Sequence, residues 1–270
     1  MDLAGFFEVR RIAIVGASPE GYFSDRLREN LEASEGIQIF PVNPGRKRVC
    51  GTRAFPDLES LPARPDLVIV LVSGKKAVTT IQTMARLGLE RAVLLAADLG
   101  KAEMKKLGSV EGVAVLGPES LGLMDVPAAR FPFCGRLTFA PPPGRISIVS
   151  RSGGLLVECL RTLRADPRWG IRRAVCCGTE ALLGAGSVLE ALAQDGRTDA
   201  VILLLEKDPC AACLAGPVET LARAGKETIL FSTASRGLRD PEALLKAAQG
   251  EILEGNAVEA LATSTGALHV

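Results

Sequence analysis

The sequence predicts an α/β chain built as two parallel-sheet units, on three observations. Short apolar, β-branched runs alternate with helix-length segments, as strands covered on both faces by crossover helices must. Two of those runs, Ile12–Val15 and Arg145–Val149, end at small-residue turns that open helices: Gly16-Ala17-Ser18 and Ser152-Gly153-Gly154. Between them, Phe131-Pro132-Phe133 and Pro141-Pro142-Pro143-Gly144 interrupt the pattern with restricted backbone, as a linker does.

In chain order, Ile12–Val15 is the first strand, and Ser24 or Asp25 is expected to cap a helix through Leu31. Further strands are expected at Ile37–Val42, Asp66–Val72, Arg91–Ala96 and Val113–Leu116, with helices around Ser24–Ala33, Lys75–Leu87 and Lys101–Leu107. The second unit repeats the scheme. Strands are read at Arg145–Val149, Ala174–Cys177, Ala200–Glu206 and Thr228–Ser232, with helices from the Ser152 turn to about Leu163, near Ser187–Gln194 and near Pro217–Ala224. The expected division is residues 1–126, a linker at 127–144, a second domain at 145–235, and a tail or remnant at 236–270.

Composition narrows the function classes. At 270 residues the chain holds two domains of ordinary size, with 47% apolar residues and a net charge of +1. That balance offers no surface for a polyanion, and one Trp, one Tyr and nine Phe leave little for stacking nucleic-acid bases. Met1-Asp2-Leu3 lacks a basic-then-apolar leader and no apolar span reaches membrane length, so a cytoplasmic protein without membrane or nucleic-acid partners is expected. Most of the seven cysteines sit in apolar runs, and Cys210-Ala-Ala-Cys213 has no second pair or nearby His to complete a metal site. No metal is expected.

Ligands of doubly wound sheets bind at the carboxyl ends of the strands, which directs attention to the loops there. A strand, a small-residue turn and a helix N-terminus present bare N–H groups to a phosphate, both at Gly16 and Ser18 and at Ser152, Gly153 and Gly154. After the second strand, an NAD site would place an acidic residue on the ribose diol. This chain has Asn43-Pro44-Gly45-Arg46-Lys47-Arg48 there, a cationic turn that suits a phosphorylated ribose, as in NADP or the 3′-phosphate of coenzyme A.

Four words in order, Val15–Ser18, Pro41–Pro44, Leu116–Gly122 and Ile146–Gly153, resemble the NDP-forming acyl-CoA synthetases. These include the α subunit of succinyl-CoA synthetase and the α part of ADP-forming acetyl-CoA synthetase. The resemblance implies a Rossmann-like CoA-binding domain followed by a flavodoxin-like ligase domain. It implies that Gly16, Ser18, Asn43, Pro44, Arg46 and Lys47 hold the CoA phosphates and adenosine, and that Ser73 and Gly74 line its adenine or pantetheine side. Ser152, Gly153 and Gly154 would receive a transferred phosphoryl group, and Glu206 would orient a phosphorylated histidine. Coenzyme A or an acyl-CoA is then the ligand, and an ATP-grasp β-type subunit the partner, in a homo- or hetero-oligomer.

The chain also departs from that pattern. Glu119 stands where an Asn is usual near the thiol, Gly178-Thr179-Glu180 replaces a Gly-Asn word, and Ser264 occupies the place of the histidine. A serine hydroxyl is a weaker nucleophile than imidazole at neutral pH and would give a stable phosphoester. His269, the one histidine, lies five residues further on. A lost or altered phosphohistidine step is therefore expected. The alternatives are a non-catalytic CoA or acyl-CoA sensor or scaffold and an NADP-dependent oxidoreductase.

Overall fold

The computed structural model describes residues 3–95, 98–138, 140–164, 169–180, 182–205, 211–232 and 252–254. The chain forms two compact units: residues 1–136 with 177–184, and residues 137–176 with 185–270.

The first unit is a parallel sheet of β1 (Arg11–Val15), β2 (Gln38–Val42), β5 (Leu67–Val70), β6 (Arg91–Leu94) and β7 (Ala114–Leu116), in the order β2-β1-β5-β6-β7. Ile12 pairs with Ile39 on one side and Leu67 on the other. The crossovers are α1 (Tyr22–Glu32), α2 (Gly74–Arg86) and α3 (Lys101–Gly108). Leu67, Val68, Ile69 and Val70 are all buried, as a strand covered on both faces requires. One face packs Ala13, Val68, Val70, Ala92 and Leu94 on Ala77, Val78, Ile81 and Met84 of α2. α2 succeeds because those four residues fall at i, i+1, i+4 and i+7, a single apolar stripe. The chain passes from β1 to β2 on one side and then crosses back to β5 on the other side of β1, so the strand order reverses at β1. This is the crevice where such sheets hold ligands.

α1 begins earlier than the sequence suggests. Gly21 is its N-cap, in extended backbone and without a side-chain cap bond, and Asp25 falls in the first turn instead of at the cap. Two short elements are also new: a hairpin of β3 (Arg48–Val49) and β4 (Thr52–Arg53), and the strand β8 (Gly122–Asp125). The hairpin turns on Cys50 and Gly51, both with positive φ (46° and 79°), as tight two-residue hairpins need. Asn30 of α1 donates through Nδ2 to the carbonyls of Phe133 and Gly135, pinning residues 131–135 to this unit.

The second unit is also parallel. β9 (Pro143–Ser150), β10 (Ile171–Cys176), β11 (Ala200–Leu205), β12 (Glu227–Ser232) and β13 (Ile252–Glu254) lie in the order β13-β12-β11-β9-β10. The helices are α4 (Gly153–Leu163), α5 (Ala185–Gln194) and α6 (Ala211–Arg223). α6 runs through Pro217, which the sequence pattern places at a helix start. Cys159 of α4 is buried in the core, and burial pushes its thiol up to about 12, so it is packing material and not a nucleophile.

At the amino ends of these strands is a buried charge cluster. Asp195 lies 3.2 Å from Arg173 and 3.4 Å from Arg172, and Lys226 donates to the carbonyls of Asp195 and Thr198 at 2.6 and 2.7 Å. It braces the end of the sheet opposite the Ser152 turn. Among the described residues no helix is long and apolar enough to cross a membrane, and no group of three or more His, Cys, Asp or Glu side chains could hold a metal ion.

Candidate functional site

At the carboxyl end of β1, Gly16 has φ of 88°, and a Cβ there would stand 2.7 Å from Val72 Cγ1 and 3.2 Å from the Val72 nitrogen. Only glycine fits this turn. Its N–H is already used, donating to the Val42 carbonyl at 3.0 Å. Gly16 therefore serves the site by letting the chain turn sharply against Val72, in the loop that follows β5. The N–H groups left without helix partners are those beyond it, where Gly21 opens α1.

Asn43 carries the geometry between the two loops. Its Nδ2 donates to the Ala17 carbonyl at 2.8 Å, and its Oδ1 accepts from the Gly45 N–H at 2.9 Å. One side chain thus fixes the turn after β1 and shapes the turn after β2. Pro44 and Gly45 then carry the chain to Arg46, whose Nη2 lies 3.0 and 2.7 Å from the two carboxylate oxygens of Glu20. Ser18 Oγ donates to that same carboxylate at 2.7 Å.

Two cavities open on these strand ends and share Asn43, Pro44 and Pro56. One, of about 510 Å³, is lined by Arg46, Lys47 and Arg53. The other, of about 530 Å³, runs from Gly16 and Val72 along α2, past Lys75, Lys76 and Thr79. The first is cationic. Sequence pattern alone does not mark Arg53; its signal is the Cys50-Gly51 turn, which sets Arg53 opposite Arg48. Arg48 itself turns away and donates to the Gly51 carbonyl at 2.6 Å. Arg53 lies over the Phe55 ring, 5.3 Å from its centroid, a stacking that holds the guanidinium in place.

Ser73 is the N-cap of α2 without a side-chain cap bond, and Gly74 has φ of 56°. They set the start of the helix, while Lys75, Lys76, Thr79, Thr80 and Thr83 provide the cavity wall. Farther along the same sheet edge, a cis Gly117–Pro118 bond precedes Glu119, which is exposed with φ of 60°. Ser120 anchors that loop to β6 through its N–H, 3.2 Å from the Leu94 carbonyl. Residues 177–184 pack against it: Thr179 donates to the Pro118 carbonyl at 2.9 Å, and Leu183 to that of Val115 at 3.2 Å. Glu119 stands at the β6–β7 end, two to three strand spacings (~10–14 Å) from β1.

In the second unit, Ser152 caps α4 by accepting from the Leu155 N–H at 3.5 Å, and Ser150 Oγ donates to the Ser152 carbonyl at 2.8 Å. Gly153 and Gly154 occupy the first helical positions, where N–H groups lack helix partners, and the space beside Gly154 is open apart from Ser152 Oγ at 3.9 Å. The neighbouring strand β11 pairs Leu204 with Ser150. Glu206, Cys210, Ser264 and His269 lie outside the described residues.

Residues 10–125 match the CoA binding domain, and residues 143–270 the succinyl-CoA ligase like flavodoxin domain. The chain is 28% identical over 210 residues to an ADP-forming acetate–CoA ligase I of Archaeoglobus fulgidus, covering 74% of this chain and 30% of that protein. It is 28% identical over 218 residues to the ADP-forming acetate–CoA ligase II subunit alpha of Pyrococcus furiosus, covering 74% of this chain and 45% of that one. The chain thus spans less than half the length of these relatives. Its fold is that of the Ca. Korarchaeum cryptofilum acetyl-coenzyme A synthetase 1, with a TM-score of 0.78 at 21% identity over 97% of this chain and 58% of that one.

Proposed function

We propose that this chain, whose CoA-binding domain followed by a succinyl-CoA ligase-like flavodoxin domain makes it a homologue of the α part of ADP-forming acetyl-CoA synthetases, takes CoA as a substrate in its first domain and works beside an ATP-grasp β-type partner. The observation that carries the reading is the link through Asn43, which joins the Gly16 turn to a cavity bearing Arg46, Lys47 and Arg53. A phosphorylated ribose needs charge at that place, and a diphosphate needs the helix N-terminus beside it. CoA carries both groups. Its acyl-bearing end would then run along the strand ends toward Glu119.

The second unit supports a phosphoryl-binding role. Ser152, Gly153 and Gly154 form a capped helix N-terminus at the point where its sheet reverses direction, beside the end of β11 that leads to Glu206. Ser264 in the histidine's place favours a lost or altered phosphohistidine step, and with it a second reading, a CoA or acyl-CoA sensor.

The charge reversal Lys47→Glu tests the first role. It places a carboxylate at the cationic wall and is expected to weaken CoA binding by roughly tenfold or more at low salt, with a smaller effect at high salt. Unchanged affinity by calorimetry would remove the basic turn from the site.

A further inference from the structure

We propose that Glu20 is an internal counter-anion, a carboxylate that holds the phosphate seat of the first unit until a ligand displaces it. The inference rests on the CoA reading above. Ser18 and Arg46 are the side chains which that reading assigns to an anionic ligand, and both already hold one anion. Glu20 accepts from Ser18 Oγ at 2.7 Å and from Arg46 Nη2 at 3.0 and 2.7 Å. The hydrogen bond from Ser18, then that from Arg46, holds its carboxyl below the usual range.

The arrangement spans two loops: Glu20 follows β1 and Arg46 follows β2, 26 residues apart in sequence. Asn43 joins the same two loops by a hydrogen bond that does not involve Glu20. The pair is exposed, with 68% of the Glu20 side chain and 41% of the Arg46 side chain open to water. Such a pair is weak enough to be exchanged. An incoming phosphate brings more charge and more acceptors to the same guanidinium. Two anions cannot share it without repulsion, so ligand binding is an exchange in which Glu20 swings into solvent. The seat is held closed to weak anions and yields to a phosphate.

The test is calorimetry of CoA, and separately of inorganic pyrophosphate, with wild type, Glu20→Gln and Glu20→Asp. Glu20→Gln removes the competing charge and is expected to tighten both probes roughly two- to fivefold, the range of an exposed pair. Glu20→Asp keeps the charge but is one methylene short of Arg46, and is expected to tighten binding nearly as much. If Glu20→Gln tightens binding while Glu20→Asp stays at wild type, the carboxylate acts only through long-range potential and the exchange is refuted. Weaker binding by Glu20→Gln would make Glu20 a ligand contact, which also refutes it. If wild type binds CoA and neither variant differs, the exchange falls and the CoA reading stands. If no form binds CoA but Glu20→Gln tightens pyrophosphate, the exchange stands and the CoA reading falls.

Discussion

Gly16→Ala perturbs the turn that joins the fold to the site, and its cost can be worked from the contacts. An L-residue with φ of 88° pays for a left-handed backbone, about 1–2 kcal/mol. The added methyl would also sit 2.7 Å from Val72 Cγ1 and 3.2 Å from the Val72 nitrogen. The side chain can rotate away, but the Val72 backbone cannot, so overpacking adds roughly 1–3 kcal/mol. The sum is about 2–5 kcal/mol, or a melting temperature lower by roughly 6–15 °C in a unit of this size. Gly36→Ala is the control: its φ is 66° and a Cβ would meet nothing within 4 Å, so it carries only the backbone part. Val72→Ala placed in Gly16→Ala should recover part of the difference, because it removes the clashing methyl. Thermal unfolding followed by circular dichroism measures all of these. If Gly16→Ala melts with Gly36→Ala, or Val72→Ala recovers nothing, the turn is not packed against Val72 and the argument for glycine at this place fails.

Two further outcomes follow from the second unit and from the loop at Glu119. Burial pushes the Asp195 carboxyl up, but the Arg197 N–H, the Arg173 and Arg172 guanidiniums and the Thr198 hydroxyl outweigh it and hold the group below its ordinary value. A carboxyl depressed in the folded state stabilises above its unfolded pKa of about 3.9 and loses that contribution as pH falls through the folded value. Asp195→Asn should therefore cost roughly 2–4 kcal/mol near neutral pH, and its urea stability should fall less than that of wild type on acidification below about pH 4; parallel curves would refute the assignment. Gly178→Ala should lower thermal stability, because φ is 64° and a Cβ would overlap the Pro118 carbonyl oxygen; an unchanged melt would mean that residues 177–184 do not pack on that loop.

Strands were the most legible part of the chain. A β-branched apolar run bounded by glycine or charge can hardly be anything else, and Ala200–Leu205 and Arg11–Val15 fall where the pattern places them. Helix starts were less legible. Ser24 and Asp25 look like caps, yet Gly21 takes the place because the turn after Gly16 has already set the backbone. Pro217 reads as a first-turn residue, but six residues before it are helical, and the apolar face that buries Leu214, Val218 and Leu221 outweighs one missing hydrogen bond. The β3–β4 hairpin has two residues per strand, too few for a period to register.

In the candidate site, residue types were legible and their contacts within the protein were not. Asn43 reads as a ligand contact, and its amide also ties Ala17 to Gly45. Arg46 reads as one of three cations in a turn, and it also holds Glu20. Both facts depend on contacts 26 residues apart, which no local pattern records. The packing of residues 177–184 with the first unit is of the same kind.

The central claim is that the Gly16 turn and the Arg46–Lys47 wall together form a CoA site. Calorimetry of the chain with CoA, dephospho-CoA and NADP tests it most directly. The account predicts micromolar CoA binding, weakened several-fold without the 3′-phosphate as lost charge contacts would give, and no binding of NADP. Equal affinity for CoA and dephospho-CoA would free the cationic cavity from any part in recognition, and no binding of CoA at all would contradict the claim outright.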